Sequence, residues 1–182
     1  MDPKIVVIVV VAIVVVLALA WFFLKRRRTA QLRERFGPEY ERTVKQHGQK
    51  GEAVLVEREK RVEKFRMRDL APDEQARFAE DWRVVQTRFV DDPKGAVTQA
   101  DSLVISVMNA RGYPMSDFEQ RAADISVQHP NVVQNYRAAH DIAARHRRGE
   151  ASTEDLRNAM IYYRSLFEEL LGKPSTERRE VA

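Results

Sequence analysis

The chain has 182 residues, of which 31 are Lys or Arg, 27 are Asp or Glu and none is Cys. Without cysteine it has no disulfides, thiolate metal sites or cysteine nucleophiles. Outside Asp2, Lys4 and the basic cluster at residues 25–28, basic and acidic residues are equal in number. This balance predicts that nucleic acid is not a partner, because nucleic-acid-binding domains usually carry a basic patch of their own.

Residues 5–24 form an apolar run of 20 residues without charge, proline or glycine. A helix of this length spans roughly 30 Å at about 1.5 Å per residue, the thickness of a bilayer's hydrocarbon core. We therefore predict that residues 1–28 are a transmembrane anchor with a basic flank. Ala18 and Ala20 match a signal-peptidase site, but the run is longer than the apolar part of a signal peptide, so we expect it to be retained.

The Lys and Arg residues near the apolar run predict its orientation. Only Lys4 precedes the run, whereas a basic cluster follows it directly, so the positive-inside rule places the N-terminus outside and the remainder in the cytoplasm. The cluster is also a candidate contact for anionic lipid headgroups. The simpler interpretation, which we favour, is that it acts mainly as a topology signal. Its members are Lys25, Arg26, Arg27 and Arg28.

Residues 29–69 are predicted to form a charged helical stalk. Gly37 suits the position after a helix end and Pro38 the first turn of the next helix, so a break is expected there. Gly48 and Gly51 are candidate breaks further along. The stalk has few apolar residues, and two arrangements stay open: it packs on the following domain, or it pairs with a second copy.

Residues 70–171 are predicted to form a bundle of about five helices, so the fold class is all-α, and residues 172–182 are predicted to be a disordered tail. Proline opens helices at Pro72 and Pro130, and Ser116 with Glu119 resembles a capping box. Apolar residues recur at helical spacing in each segment. The clearest stripes are Phe78, Trp82, Val85 and Phe89, then Val97, Ala100, Val104 and Val107, and finally Leu156, Met160, Tyr163, Phe167 and Leu170.

Four segments carry a resemblance that covers nearly the whole chain. They are LRERFGPEYER at residues 32–42, RFVDDP at 88–93, RGYP at 111–114 and GEASTEDL at 149–156. Together they resemble a family of bacterial single-pass membrane proteins in which an LRxRFGPEY-type segment follows the anchor. The resemblance implies a bacterial origin and a plasma-membrane location. It implies no catalytic residue, cofactor or partner.

The sequence has no motif typical of phosphate, dinucleotide, zinc or serine-hydrolase sites. We therefore predict no catalytic residue, cofactor or metal, and no enzymatic activity. One polar cluster is the alternative to this prediction. Tyr136 and His140 share a helix face, His129 lies just before that helix and Glu119 lies on the preceding one. A His with a carboxylate suits acid–base chemistry, but we favour Tyr136 as core with His140 at its border.

Two aromatic positions are candidates for ligand or partner contact. Trp82 and Gln86 share a helix face where a ligand could stack, although an aromatic in an apolar stripe is usually core. Tyr113 lies in the turn at residues 111–114 and is expected to cover the edge of the bundle rather than face a partner.

Three functional hypotheses follow. The first is a membrane-tethered cytoplasmic helical interaction module, with the membrane contacted through residues 5–24 and a protein partner of unknown identity. The second is a hydrolase or lyase that uses His140 and Glu119. The third is a binder of anionic lipid surfaces through the basic cluster at residues 25–28. We favour the first because recognisable catalytic parts are missing.

Overall fold

A computed structural model describes the backbone of residues 3–172 and the side chains of residues 12–172. Over this range the chain is helical and contains no strand, which confirms the all-α prediction. The chain divides into a first unit, Met1–Leu55, and a second unit, Val56–Ala182. The elements in chain order are α1 Pro3–Phe36, α2 Pro38–His47, a 3-10 turn Gly48–Lys50, α3 Gly51–Val62, α4 Pro72–Asp91, α5 Pro93–Ala110, α6 Phe118–Gln128, α7 Val133–Arg147 and α8 Thr153–Leu171.

The described residues contradict the predicted transmembrane anchor. None of their helices combines the length and the apolar character that a membrane span needs. The apolar part of α1 with described side chains is residues 12–24, roughly 20 Å at about 1.5 Å per residue, and charged residues follow it. On this finding the predicted anchor, its predicted orientation and the predicted plasma-membrane location are wrong. Residues 5–11 of the predicted span lie outside the described side chains.

The first unit is built where α1 meets α2. Gly37 joins the two helices with a φ of 47°, a left-handed value that favours glycine. Phe36 and Tyr40, on either side of this turn, are buried. Glu52 ties the unit together, because one of its carboxylate oxygens accepts hydrogen bonds from Thr29 Oγ1 at 2.8 Å and Tyr40 Oη at 2.9 Å.

The predicted stalk breaks at both candidate glycines. Helix α2 ends at His47, Gly48 has a φ of 55°, and Gly51 begins α3 after the 3-10 turn. At Gly51 the reason for glycine is close approach: a Cβ there would lie 2.7 Å from the Cα of Val44. The chain then leaves helix after Val62, and residues 66–71 have no regular secondary structure.

The second unit contains the predicted bundle of five helices, α4 to α8. Its core is formed by the inward faces of α4, α5, α6, α7 and α8. Tyr136 and Tyr163 are fully buried, with ring centroids 6.4 Å apart. Tyr113 is 3 % exposed and donates to Gln128 Oε1 at 2.9 Å, so it covers the bundle edge as predicted. The predicted tail, from residue 173 onward, lies outside the described residues.

Two predicted helix starts need correction. The cap of α6 is Asp117, whose carboxylate accepts from Gln120 N at 2.9 Å, so the predicted capping box of Ser116 and Glu119 is wrong. Glu119 instead pairs with Arg137. Helix α7 begins at Val133 rather than at Pro130, because a turn occupies the residues after the proline.

Candidate functional site

A cleft of about 220 Å³ opens between α4 and α8 in the second unit, and we call it the Trp82 cleft. Counted from Trp82, α4 contributes residues at i, i+4 and i+7. Counted from Arg157, α8 contributes residues at i, i+3, i+4 and i+7. Each helix therefore presents one face over two turns. Four of the lining side chains are apolar or aromatic, two are arginines and none is acidic. They are Trp82, Gln86, Phe89, Arg157, Met160, Ile161 and Arg164.

Trp82 is both a core residue and part of the cleft. Its ring stacks on Phe167 with centroids 4.8 Å apart and planes inclined by 17°, and only 6 % of the residue is exposed. Its indole Nε1–H has no acceptor among the described residues. Buried indole N–H groups usually have a partner, so this donor is an unsatisfied polar group in a residue that lines the cleft.

The outer wall of the cleft is apolar and open to solvent. Ile161 is 56 % exposed, and Phe89 is only partly buried. At the end of α4, Val90 is 81 % exposed. A single exposed apolar residue is ordinary, but apolar side chains that border a cleft are typical of interaction surfaces.

The two arginines stand seven residues apart on α8. Arg157 Nη1 lies 2.6 Å from Glu154 Oε2, and Arg164 Nε lies 2.6 Å from Glu168 Oε1. All four side chains are more than half exposed. Exposed ion pairs of this kind contribute little to stability, on the order of 0–1 kcal/mol, so the guanidinium groups are available to other carboxylates.

A second cleft, of about 240 Å³, lies between α4 and α5. Its lining is more polar and contains an acidic residue but no basic one: Asp81, Val84, Val85, Gln99, Leu103 and Ser106. It shares α4 with the Trp82 cleft but lies on another face of that helix. The two clefts therefore differ in the charged residues that line them.

Two members of the predicted polar cluster, His129 and Glu119, are paired with residues outside it. His129 Nδ1 lies 3.0 Å from Glu169 on α8, and Glu119 Oε2 lies 3.0 Å from Arg137 Nη1. Burial lowers the pKa of His129, against the opposing effect of Glu169. Glu169 is thus paired with His129, and Glu119, the carboxylate of the acid–base hypothesis, is paired with Arg137.

Tyr136 and His140 do share a face, as predicted, and both contact Phe118. The rings of Phe118 and His140 are stacked with centroids 3.6 Å apart and planes at 8°, and the Phe118 and Tyr136 centroids are 5.0 Å apart. Burial lowers the pKa of His140, while the charge of Asp101 raises it. Burial and then Asp101 raise the pKa of Tyr163.

Three polar atoms in this region of the bundle are buried, and none makes a hydrogen bond of good geometry with a described residue, although Tyr163 interacts with Asp101. The three atoms are Asp101 Oδ1, His140 Nδ1 and Tyr163 Oη. Neither cleft includes any of the three residues in its lining. Tyr163 is fully buried, whereas Asp101 and His140 are each partly exposed.

The four predicted headgroup contacts lie along α1, exposed, in the first unit. Lys25 Nζ stands 5.3 Å from the ring centroid of Trp21, and the Arg26 guanidinium 6.0 Å from that of Phe22. Arg27 and Arg28 are exposed as well. For residues 12–172 the structure contains no group of three His, Asp or Glu residues that could hold a metal ion.

The residues of α8 in the cleft were not predicted. Met160 was assigned to the inward stripe, and Ile161 lies one position beyond it. The available signal was the pair Arg157 and Arg164, because the two arginines flank an isoleucine on the outer face of an otherwise amphipathic helix. Pairing that face with Trp82 required knowing that α4 and α8 are neighbours.

No protein-family model, curated protein or solved structure matches this chain. The resemblance to bacterial single-pass membrane proteins therefore stays a prediction.

Proposed function

We propose that the second unit is a helical interaction module that binds a partner protein through the Trp82 cleft. The observation that carries the proposal is the cleft's composition: an aromatic floor at Trp82, an exposed apolar wall at Ile161 and two arginines at the rim. Interfaces are enriched in aromatic residues, Met and Arg in their centres. Residues that dominate binding energy are often Trp or Arg in such positions.

The size of the cleft favours a protein side chain over a metabolite as its occupant. Sites for drug-sized ligands and cofactors usually enclose roughly 300–1,000 Å³, whereas this cleft measures about 220 Å³. It is also an open groove between two helix faces. One or two side chains from a partner fill such a groove while the rest of the partner lies over the rim.

The placement of polar residues favours an interaction module over a hydrolase or lyase. Glu119 is 75 % exposed and paired with Arg137, and His129 is paired with Glu169. His140 is packed flat against Phe118. Neither of the two clefts is lined by His140 or by Glu119.

Site-specific photo-crosslinking tests the proposal. A benzophenone amino acid replaces Ile161 in the full chain and, as a matched control, Ser102, which is exposed on α5 and lines neither cleft. We expect a discrete adduct with one partner at residue 161 and none at residue 102. Mass spectrometry identifies the partner and the crosslinked segment. Equal adducts at both positions, or none at residue 161, would contradict the proposal.

Binding of the purified partner to variants of the chain then tests whether the cleft forms part of the interface. Ile161→Glu places a charge in the apolar wall at a residue that is already 56 % exposed, so the fold should tolerate it. We expect the Kd to rise roughly tenfold or more, because burial of the Ile161 side chain no longer contributes to the binding free energy. A tenfold change corresponds to about 1.4 kcal/mol. Ser102→Glu should leave the Kd unchanged. Equal affinities of the two variants would remove the cleft from the interface.

A further inference from the structure

We infer that the occupant of the Trp82 cleft is an acidic α-helical segment of another protein, which inserts a large apolar side chain between two carboxylates that contact Arg157 and Arg164. This inference rests on the proposed function and adds the chemistry of the partner. Its starting point is the charge of the lining, which contains two guanidinium groups and no acid. An acidic segment matches that charge, whereas a basic segment meets repulsion.

The spacing of the arginines points to a helix. Arg157 and Arg164 are separated by two turns of α8, about 10.5 Å at 1.5 Å per residue. A partner helix that runs along the groove repeats this distance when its acidic residues are at i and i+7. Its residues at i+3 and i+4 then project from the same face, directly over the wall formed by Ile161. Binding of an amphipathic helix in a groove between helices is a common recognition mode.

The existing ion pairs of the arginines do not prevent this exchange. Their partners, Glu154 and Glu168, lie on α8 outside the cleft lining, at its two ends. Both pairs are exposed and therefore weak. A carboxylate brought in above the apolar wall becomes partly desolvated, and a charge-assisted hydrogen bond to Arg is stronger there than in open solvent.

Two other occupants fit the cleft less well. Residues 173–182 of the chain itself contain Lys173, Arg178 and Arg179 against Glu177 and Glu180, so their net charge has the wrong sign. A second copy offers two segments with the required spacing, one in α3, where Glu52 and Glu59 flank Leu55, and one in α4, where Glu74 and Asp81 flank Phe78. Phe78 is only 5 % exposed in its own chain. Leu55 is fully buried in its own chain and is not available as an anchor.

Designed peptides test the inference with the full chain. The probe is an alanine-based helix of about 20 residues, long enough to be helical in water, with Glu at i and i+7 and Leu at i+3 and i+4. One matched peptide has Lys in place of both Glu, and another has Ala in place of both Leu. We expect binding of the Glu–Leu peptide, with affinity roughly tenfold or more above that of either matched peptide. Equal binding of the Lys peptide would overturn the inference.

The protein side of the test uses the arginines and Trp82. The double variant Arg157→Gln, Arg164→Gln should weaken the Glu–Leu peptide roughly tenfold and remove most of its salt dependence between about 0.05 and 0.5 M. Arg83→Gln, an exposed α4 arginine outside the cleft, is the control. The indole N–H resonance of Trp82, distinguished from that of Trp21 by Trp21→Phe, should shift on binding. An unshifted resonance would place the peptide elsewhere.

The two proposals fail in different ways. If the crosslinked partner docks at residue 161 through a basic or non-helical segment, the interaction module stands and the acidic helix is wrong. If residue 161 gives no specific adduct and no peptide binds, both are wrong. Sedimentation of the purified chain supplies a further check, because a dimer that dissociates on Ile161→Glu would identify a second copy as the occupant and overturn the inference.

Discussion

Arg61 Nη2 lies 2.7 Å from Asp124 Oδ2, and this ion pair joins the last turn of α3 to the buried helix α6. The Asp124 side chain is 1 % exposed and that of Arg61 is 36 % exposed. Gln120 Nε2 donates to the other carboxylate oxygen at 3.1 Å. Burial raises the pKa of Asp124, and Arg61 and Gln120 only partly oppose it. The carboxylate therefore depends on these two partners to remain charged inside the protein.

We expect Arg61→Met to lower the free energy of unfolding at pH 7 by roughly 1–3 kcal/mol, because a buried acceptor loses its main donor. A carboxyl group whose pKa is higher in the folded than in the unfolded state stabilises the fold fully below the unfolded pKa, about 3.9. That stabilisation is lost as the pH rises through the folded pKa. The loss should therefore shrink as the pH falls towards about 4. Urea unfolding measures it.

Arg83→Met is the control for this prediction, since the pair of Arg83 with Glu80 is exposed on both sides. It should not change stability measurably. A loss for Arg61→Met that equals the control, or that does not depend on pH, would show that the pair carries no stability.

The start of α6 provides a test of helix capping at single-residue resolution. Asp117 accepts from Gln120 N at 2.9 Å, whereas the Ser116 hydroxyl makes only a long contact of 3.5 Å with a backbone oxygen. We expect Asp117→Ala to lower the free energy of unfolding by roughly 0.5–2 kcal/mol, as for other N-cap residues. Ser116→Ala should have no measurable effect in the same thermal unfolding experiment. A larger loss for Ser116→Ala than for Asp117→Ala would show that Ser116 is the N-cap, as predicted from the sequence.

That wrong cap illustrates what a sequence can and cannot indicate. Ser116 and Asp117 both carry an oxygen suited to capping, and Glu119 follows Ser116 at the spacing of a capping box. The choice between the neighbours depended on Glu119, whose carboxylate is drawn to Arg137 on another helix. Local patterns therefore located the helix to within a residue, while a contact distant in sequence decided its first turn.

The amphipathic stripes were more informative than the caps. In α8 all five predicted stripe residues are buried, and in α4 Phe78, Trp82 and Val85 are buried with Phe89 packed against the core. A buried face must be apolar whatever covers it, so periodicity predicts the face reliably. It does not indicate which helices are neighbours. The cleft depends on α4 meeting α8, whose lining residues lie far apart in the sequence, so only one side of it was predicted.

Close approach at Gly51 gives a third prediction. Its backbone angles are ordinary for a helix, with φ −54° and ψ −45°, so by conformation alone alanine would be at least as stable there. A Cβ would nevertheless lie 2.7 Å from Val44 Cα, a backbone atom that cannot move without shifting α2. We therefore expect Gly51→Ala to lower the melting temperature or to broaden the unfolding transition, measured by circular dichroism.

Gly48 is the matched control for Gly51. A Cβ at Gly48 would meet nothing within 4 Å, but its φ of 55° is left-handed. Gly48→Ala should therefore cost only conformational strain, about 1 kcal/mol. Gly48→Asn should cost less than Gly48→Ala, since Asn tolerates left-handed backbone better than most residues. If Gly51→Ala proves neutral, the close packing of α2 and α3 is wrong.

The imidazole of His140 predicts how stability depends on pH. Its Nδ1 is buried without a partner and its ring is stacked on Phe118. Burial lowers its pKa, the charges of Arg147 and Arg121 act in the same direction, and Asp101 and Glu119 oppose them. Unfolded His140 therefore takes up a proton before the folded form does. Its contribution to stability is complete above the unfolded pKa, about 6.5, and is lost as the pH falls through the folded value.

We expect the free energy of unfolding to decrease from about pH 7 to about pH 5. His129, whose pKa burial also lowers, adds to the decrease with the same sign. His140→Phe should reduce the slope and leave stability at pH 7 unchanged or higher, because it removes an unpaired buried nitrogen and keeps a ring against Phe118. Urea unfolding at several pH values measures the slope, and NMR titration of the imidazole gives the folded pKa directly. A folded pKa above about 6.5, or an unchanged slope in His140→Phe, would mean that His140 is not buried as a neutral ring.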